Sequence, residues 1–189
     1  MSRVLYSIER IIGPSPAEMA ALQAVLTPRT LQKGEMFLRE GQVCATVAFI
    51  EQGSARLYYA ADGREISKEF LFENALLGSF ASFFARQPSL VNVAALEETA
   101  LLEMHYPDVQ QLCAEHPAWQ RLALLLIQDQ VVRAERREAS LLRDAPEQRF
   151  RNLIEEHPKV FKRVPLQYIA SYLGITPETL SRYRSKLKP

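Results

Sequence analysis

The chain has 189 residues, 48% hydrophobic and 24% charged, which excludes a disordered or low-complexity polypeptide and allows one large domain or a medium one with a small companion. Its 23 Lys and Arg against 22 Asp and Glu leave a net charge of +1, so the molecule as a whole does not advertise nucleic acid, membrane surface or an acidic substrate. Dividing the chain changes that. Residues 145–189 carry nine basic and four acidic side chains, a net of +5, whereas the first 144 carry 14 and 18, a net of −4.

The amino terminus is broken by Ser7, Glu9 and Arg10 and lacks the continuous apolar core of a signal peptide. The apolar run Leu122 to Ile127 is too short to span a bilayer, so a soluble cytoplasmic protein is expected. From about residue 29 to 106 short strands alternate with turn residues: 29–32, 36–38, 47–51, 55–60, 65–71, 91–95 and 99–104. Asp62-Gly63 between β-prone runs is a strong hairpin signal, because both turn residues must tolerate positive φ. Such spacing predicts an antiparallel sandwich or jelly roll. Cys44 and Cys113 fit neither a disulfide framework nor a CxxC metal site, and buried free thiols are expected, with a redox switch as the lesser alternative.

At Pro107 the period changes to that of helices. A short helix is predicted over 107–114 and a long one from Pro117 to about Leu142, which contains no Gly and no further Pro. Leu124, Ile127, Val131, Ala134 and Leu141 fall on an a/d stripe, interrupted only by Glu138; Trp119, Leu122 and Leu126 lie on another side. Two apolar faces imply two neighbours: the chain's own β domain, and an identical helix in a parallel homodimer. A single helix packed inside a monomer is the competing reading. Asp144-Ala145-Pro146 starts a further helix that His157-Pro158 ends, 159–164 forms a linker, and Pro165 and Pro177 each open one more.

The last two helices have the spacing of a helix-turn-helix. Ala170 is small enough for close helix approach, and Gly174, four residues on, supplies the left-handed conformation of a sharp turn. Leu180 plugs the second helix onto the first above Ile169 and Leu173, with Thr176 as N-cap and Pro177 as first helical residue. Outward on the second helix stand Glu178, Thr179, Ser181 and Arg182, followed by Arg184, Lys186 and Lys188. An arginine can bond guanine O6 and N7 and a glutamate can accept from cytosine N4. Arg182 and Glu178 are therefore assigned to bases, Thr179 and Ser181 to bases or phosphate, and Lys186 to phosphate, with Thr176 and Arg184 completing the DNA-facing set. Tyr168, Tyr172 and Tyr183 are open to either packing or phosphate contact.

A β-rich first part, one long helix and a terminal helix-turn-helix together resemble the Crp/Fnr family of transcriptional regulators, over roughly residues 20–189. Ile169 to Arg182 carries the resemblance most strongly, supported by Lys33-Gly34-Glu35, Glu40-Gly41, Gly53 to Tyr58 and Asp62-Gly63-Arg64-Glu65. The resemblance implies an α+β fold: a cyclic-nucleotide-binding-like β jelly roll over 1–116, a dimerisation helix over 117–143, and a winged-helix type helix-turn-helix domain over 144–189. It implies a bacterial homodimer on double-stranded DNA, with RNA polymerase as a further partner. Glu178, Ser181 and Arg182 match the family's Glu-x-x-Ser-Arg, which reads a TTGA-type half-site; Pro177 stands where some members place a base-contacting Arg. In the effector pocket, assigned to Gly78, Ser79, Phe80, Ser89 and Leu90, Ser79 replaces the ribose-binding Glu and Ser89 the phosphate-binding Arg. A phosphate buried without a cation is costly, so cyclic AMP and cyclic GMP are not expected to bind in the usual mode. Arg86 is read as a turn residue rather than a substitute cation.

Other chemistries fit less well. Two cysteines are too few for an iron–sulfur sensor. His116 and His157 precede prolines at helix boundaries, which suits punctuation better than haem ligation. A cupin-type metalloenzyme needs converging ligands, but only His105 lies near the β region, so neither metal, cofactor nor catalytic activity is expected. Phe70, Phe72, Phe80, Phe83 and Phe84 crowd the pocket region and are read as core before ligand cage. The rival function is a nucleotide- or small-ligand-gated interaction module without specific DNA binding, whose mark would be burial of the Glu178 to Lys188 face against the β domain. By the same resemblance, a small-molecule effector in the β domain would shift the dimer helix and hence the spacing of the two recognition helices.

Overall fold

The computed structural model describes residues 2–186, so Lys188 lies outside the described residues. Two helices come first, α1 (Arg3–Ile12) and α2 (Pro16–Val25), followed by β1 (Thr27–Leu31), β2 (Met36–Leu38), β3 (Thr46–Gln52), β4 (Ala55–Ala61), β5 (Arg64–Leu71), β6 (Leu76–Leu77), α3 (Phe80–Ala85), β7 (Asn92–Ala95) and β8 (Thr99–His105). Helices follow to the end: α4 (Tyr106–Glu115), α5 (Pro117–Arg143), α6 (Pro146–Glu156), α7 (Val160–Arg163), α8 (Leu166–Leu173) and α9 (Pro177–Lys186).

The strands form two four-stranded antiparallel sheets, ordered β1-β8-β3-β6 and β2-β7-β4-β5, which is the expected β roll. The β4–β5 hairpin turns at Asp62 and Gly63, with φ of 50° and 71°, directly between the paired residues Ala61 and Arg64. Leu31, Ile50, Leu57, Leu77, Phe83 and Leu101 are buried between the sheets, and Trp119 and Leu122 at the start of α5 join the same core. Burial of large aliphatic and aromatic side chains, each contributing roughly 1.5–3 kcal/mol, holds the roll together and seats α5 on it.

The amino-terminal helices were not expected, although Val4, Leu5, Ile8 and Ile12 have helical spacing and Val4 and Ile8 are buried. In α2, the Ser15 hydroxyl accepts from the Glu18 amide at 3.2 Å and the Glu18 carboxylate accepts from the Ser15 amide at 2.8 Å, a complete capping box. The other oxygen of Glu18 accepts the Ala118 amide at 3.2 Å, on the first turn of α5. These hydrogen bonds hold the Glu18 carboxyl below its ordinary range.

A second core gathers Phe150, Leu153, Val160, Val164, Ile169, Ala170, Leu173 and Leu180, and Leu96, Phe70 and Phe72 of the roll pack into it. The phenylalanines expected around a pocket are thus divided: Phe70 and Phe72 serve this helical core, Phe80 and Phe83 the β core, and Phe84 is exposed. Within the expected linker, Val160 and Val164 are buried four residues apart, and this helical spacing folds 160–163 into α7. Among the described residues no strand follows β8, and the part after α5 is a three-helix unit of α6, α8 and α9 with the extra turn α7.

Candidate nucleic-acid interface and effector pocket

The turn between α8 and α9 is built as the sequence requires. Gly174 adopts φ 67°, ψ 36°, and the amides of Gly174 and Ile175 close back on the Ser171 and Ala170 carbonyls at 3.1 and 3.0 Å. Thr176 accepts the Thr179 amide at 3.3 Å, and its carbonyl takes the Leu180 amide at 3.0 Å, so it caps α9. Ala170 and Leu180 have no solvent exposure.

Above this core, Thr176, Glu178, Ser181, Arg182, Arg184 and Lys186 are exposed, and Thr179 is half-buried with its hydroxyl 3.2 Å from that of Thr176. Hydrogen bonds from its own backbone and from Thr176 keep the Glu178 carboxyl below the usual range, hence ionised and ready to accept. The three tyrosines pack: Tyr168 lies 3.7 Å beneath the Arg56 guanidinium, Tyr172 lies 3.7 Å beneath that of Arg137, and Tyr183 sits 5.6 Å from Phe150.

On α5, Leu124, Ile127, Val131, Ala134 and Leu141 are exposed, while Trp119 and Leu122 are buried and Leu126 packs at the core's edge. The helix therefore presents two differently used sides, one covered by the β roll and one open.

Ser89 is buried, and its hydroxyl donates to the Val91 carbonyl at 2.8 Å and accepts the Val91 amide at 3.1 Å. Gly78 abuts Val47, where an added Cβ would come within 3.1 Å of its side chain. Ser79 is buried at the start of α3, Phe80 packs on the β core and Leu90 is 74% exposed. Arg86 donates to the Cys44 carbonyl at 2.8 Å and stacks 4.2 Å over Tyr106, so its guanidinium is already engaged. Burial pushes the Cys44 and Cys113 thiols up, which disfavours thiolate chemistry at either. Surface cavities of about 760 and 310 Å³ are lined by other residues, Arg3, Arg29, Glu51 and Glu73 among them in the larger. No metal-binding group of three or more His, Cys, Asp or Glu occurs among the described residues.

Sequence reasoning missed the contacts that seat the helix-turn-helix on the roll. Arg56 of β4, only 6% exposed, is sandwiched between Tyr58 and Tyr168 and pairs with Glu65 at 2.5 Å. The Ser171 hydroxyl donates to the Glu65 carbonyl at 2.8 Å and accepts the Ser67 amide at 3.0 Å. Arg163 of α7 forms a fork on Glu73, both contacts at 2.8 Å, and also reaches Glu97. An arginine inside the apolar run Ala55-Arg56-Leu57-Tyr58 was the one local signal of such an interface.

A β roll, a long helix with one open apolar side and a terminal helix-turn-helix make up the fold also found in solved structures of transcriptional regulators. Residues 28–116 match the model of the cyclic nucleotide-binding domain family. Among solved structures the chain resembles FixK2 from Bradyrhizobium japonicum, at 19% identity and a TM-score of 0.76 over 86% of this chain and 84% of that one. It resembles the c-di-GMP-responsive global regulator CLP of Xanthomonas campestris at 18% identity, TM-score 0.74, over 92% of each chain. The catabolite activator protein of Thermus thermophilus is similar at 19% identity, TM-score 0.60, over 95% of this chain and 85% of that one. No curated protein matches the sequence significantly.

Proposed function

We propose that this protein is a sequence-specific DNA-binding transcriptional regulator, not an enzyme, that acts as a homodimer on a pseudo-palindromic operator. The observation that carries the reading is the exposed polar and basic face of α9, held up by a closed core while the apolar stripe of α5 is open. In this reading 1–116 is the sensor part, 117–143 the dimerisation helix and 144–189 the DNA-binding part. Leu124, Ile127, Val131, Ala134 and Leu141 meet their copies across the twofold axis, and the two α9 helices enter successive major grooves about one helical turn apart. Arg182 and Glu178 read base edges, Thr179 and Ser181 contact bases or phosphate, and Lys186 holds phosphate, with Thr176 and Arg184 on the same DNA-facing surface. The protein works in the bacterial cytoplasm with RNA polymerase as a partner; no described helix is long and apolar enough to cross a membrane.

The effector pocket is degenerate in this reading. The internal hydrogen bonds of Ser89 and the engagement of Arg86 support it, because a cyclic phosphate placed there would lack a cation. An interaction module without specific DNA binding is the weaker alternative, since Glu178 and Arg182 are exposed rather than covered by the roll.

Selection of random duplex DNA on the purified protein, with and without cell metabolites, tests the proposal. Recovery of a palindromic site that Arg182→Ala no longer discriminates is the expected result. Failure to enrich any sequence would overturn it.

A further inference from the structure

The carbonyl end of α8 is fully accounted for, and half of the account comes from outside the helix-turn-helix. A helix leaves its last four carbonyls without intrahelical partners. In α8 the Ala170 and Ser171 carbonyls are taken by the turn amides of Ile175 and Gly174. The Tyr172 carbonyl accepts from Nη2 of Arg137, a residue of α5. The Leu173 carbonyl accepts from Nε and Nη2 of Arg149, a residue of α6, at 3.1 and 2.9 Å.

Each arginine is itself fixed. The Arg137 guanidinium lies 3.7 Å over the Tyr172 ring, which packs 5.3 Å from Phe70 of β5. Nη1 of Arg149 donates to the Asp144 carbonyl at 2.7 Å, and Asp144 caps the end of α5, its side chain accepting from the Ser140 hydroxyl at 2.8 Å. Arg149 therefore bridges the residue that caps α5 to the last residue of α8 with one rigid plane. A lysine, with a single point charge on a flexible stem, cannot reproduce that fork. Two positive charges at the carbonyl end of a helix also complement its dipole. Thr176, the cap of α9, is three residues beyond the Leu173 carbonyl, so what fixes that carbonyl fixes the start of α9.

We infer that Arg137 and Arg149 are positioning residues that tie the recognition helix to the dimer helix and thereby set the half-site spacing the dimer accepts. The inference rests on the DNA-binding reading for its consequence, but the tie itself can be tested without DNA.

Residual dipolar couplings of α5 and α9 amides provide that test. In the wild-type protein they are expected to fit one alignment tensor, and in Arg137→Gln/Arg149→Gln to require two, while amides within α6–α9 still fit one. If the double variant keeps a single tensor, the inference is wrong whatever the protein does with DNA. Arg137→Lys and Arg149→Lys, which retain the charge, are measured alongside to separate loss of the tie from loss of folding; a folded lysine pair indistinguishable from wild type would equally overturn the role of the fork. With duplexes of varied spacer, the glutamine variants are expected to bind the preferred spacing about tenfold more weakly. They should tolerate spacers one base pair longer or shorter, with single half-site affinity within about twofold of wild type. An unchanged spacing profile, or an equal loss on the half-site, would refute the assignment. Absence of any specific site for the wild type would instead sink the DNA reading.

Discussion

Replacement of Arg163 by Met should loosen the helix-turn-helix from the β roll by an amount the structure bounds. The Arg163 guanidinium beside Glu73 holds that carboxyl at about 2, against an ordinary 4.5, with the Gly53 amide assisting. A depression of that size corresponds to at most about 3 kcal/mol. The Glu73 and Arg163 side chains are 20% and 26% exposed, so solvent screening reduces the contribution to about 1–2 kcal/mol. The Ser67 amide, donated to the Ser171 hydroxyl across the same interface, reports on docking through hydrogen exchange. In Arg163→Met its protection should fall roughly 5–30-fold, the factor that 1–2 kcal/mol represents. The sign with pH follows from the lowered carboxyl. The contribution is complete above 4.5 and is lost as pH falls toward 2, so the stability difference between wild type and variant should close over that window. Equal Ser67 protection in the two proteins at neutral pH, or a difference that persists at pH 2, would refute the reasoning.

Other outcomes are open to simpler measurements. Leu180→Ala should lower unfolding stability by about 2–5 kcal/mol, because Leu180 is fully buried at the centre of the helical core, and chemical denaturation reads this directly. Gly174→Ala should cost about 1–2 kcal/mol from its φ of 67°, seen as a lower melting temperature. Val131→Glu on the exposed side of α5 should shift sedimentation toward monomer while the monomer's circular dichroism stays unchanged; an unaltered dimer would place the interface elsewhere. Calorimetric titration with cyclic AMP should give no saturable heat, and a saturable isotherm would show that the Ser79 and Ser89 region is not degenerate.

The readable parts of this fold were those governed by local rules. Asp62-Gly63 announced its hairpin through the positive φ both residues adopt, and Gly174, Thr176 and Pro177 announced the α8–α9 turn through capping chemistry. The two sides of α5 were legible because burial follows helical period: Trp119 and Leu122 are covered, Leu124 and Val131 are not. α3 escaped notice because it is six residues long and lacks a side-chain cap at Ser79. α7 was hidden in a basic segment where only Val160 and Val164 betray a turn. The arginine contacts were out of reach for a different reason. Arg137 and Tyr172 are 35 residues apart and Arg163 and Glu73 are 90 apart, and no periodicity relates a cation to a carbonyl or carboxylate at such separations.

The Glu18 carboxylate closes the capping box of α2 and receives the Ala118 amide of α5 as well. One side chain thus finishes two helices, and α1 and α2 act as a splint laid against the root of α5. Shortening the chain from its amino end would leave the first turn of α5 with an unanswered amide and remove the Val4 and Ile8 contacts behind it. Residues 2–25 accordingly help to seat the long helix at its base, and a tag or cut placed among them is a structural perturbation rather than a neutral handle.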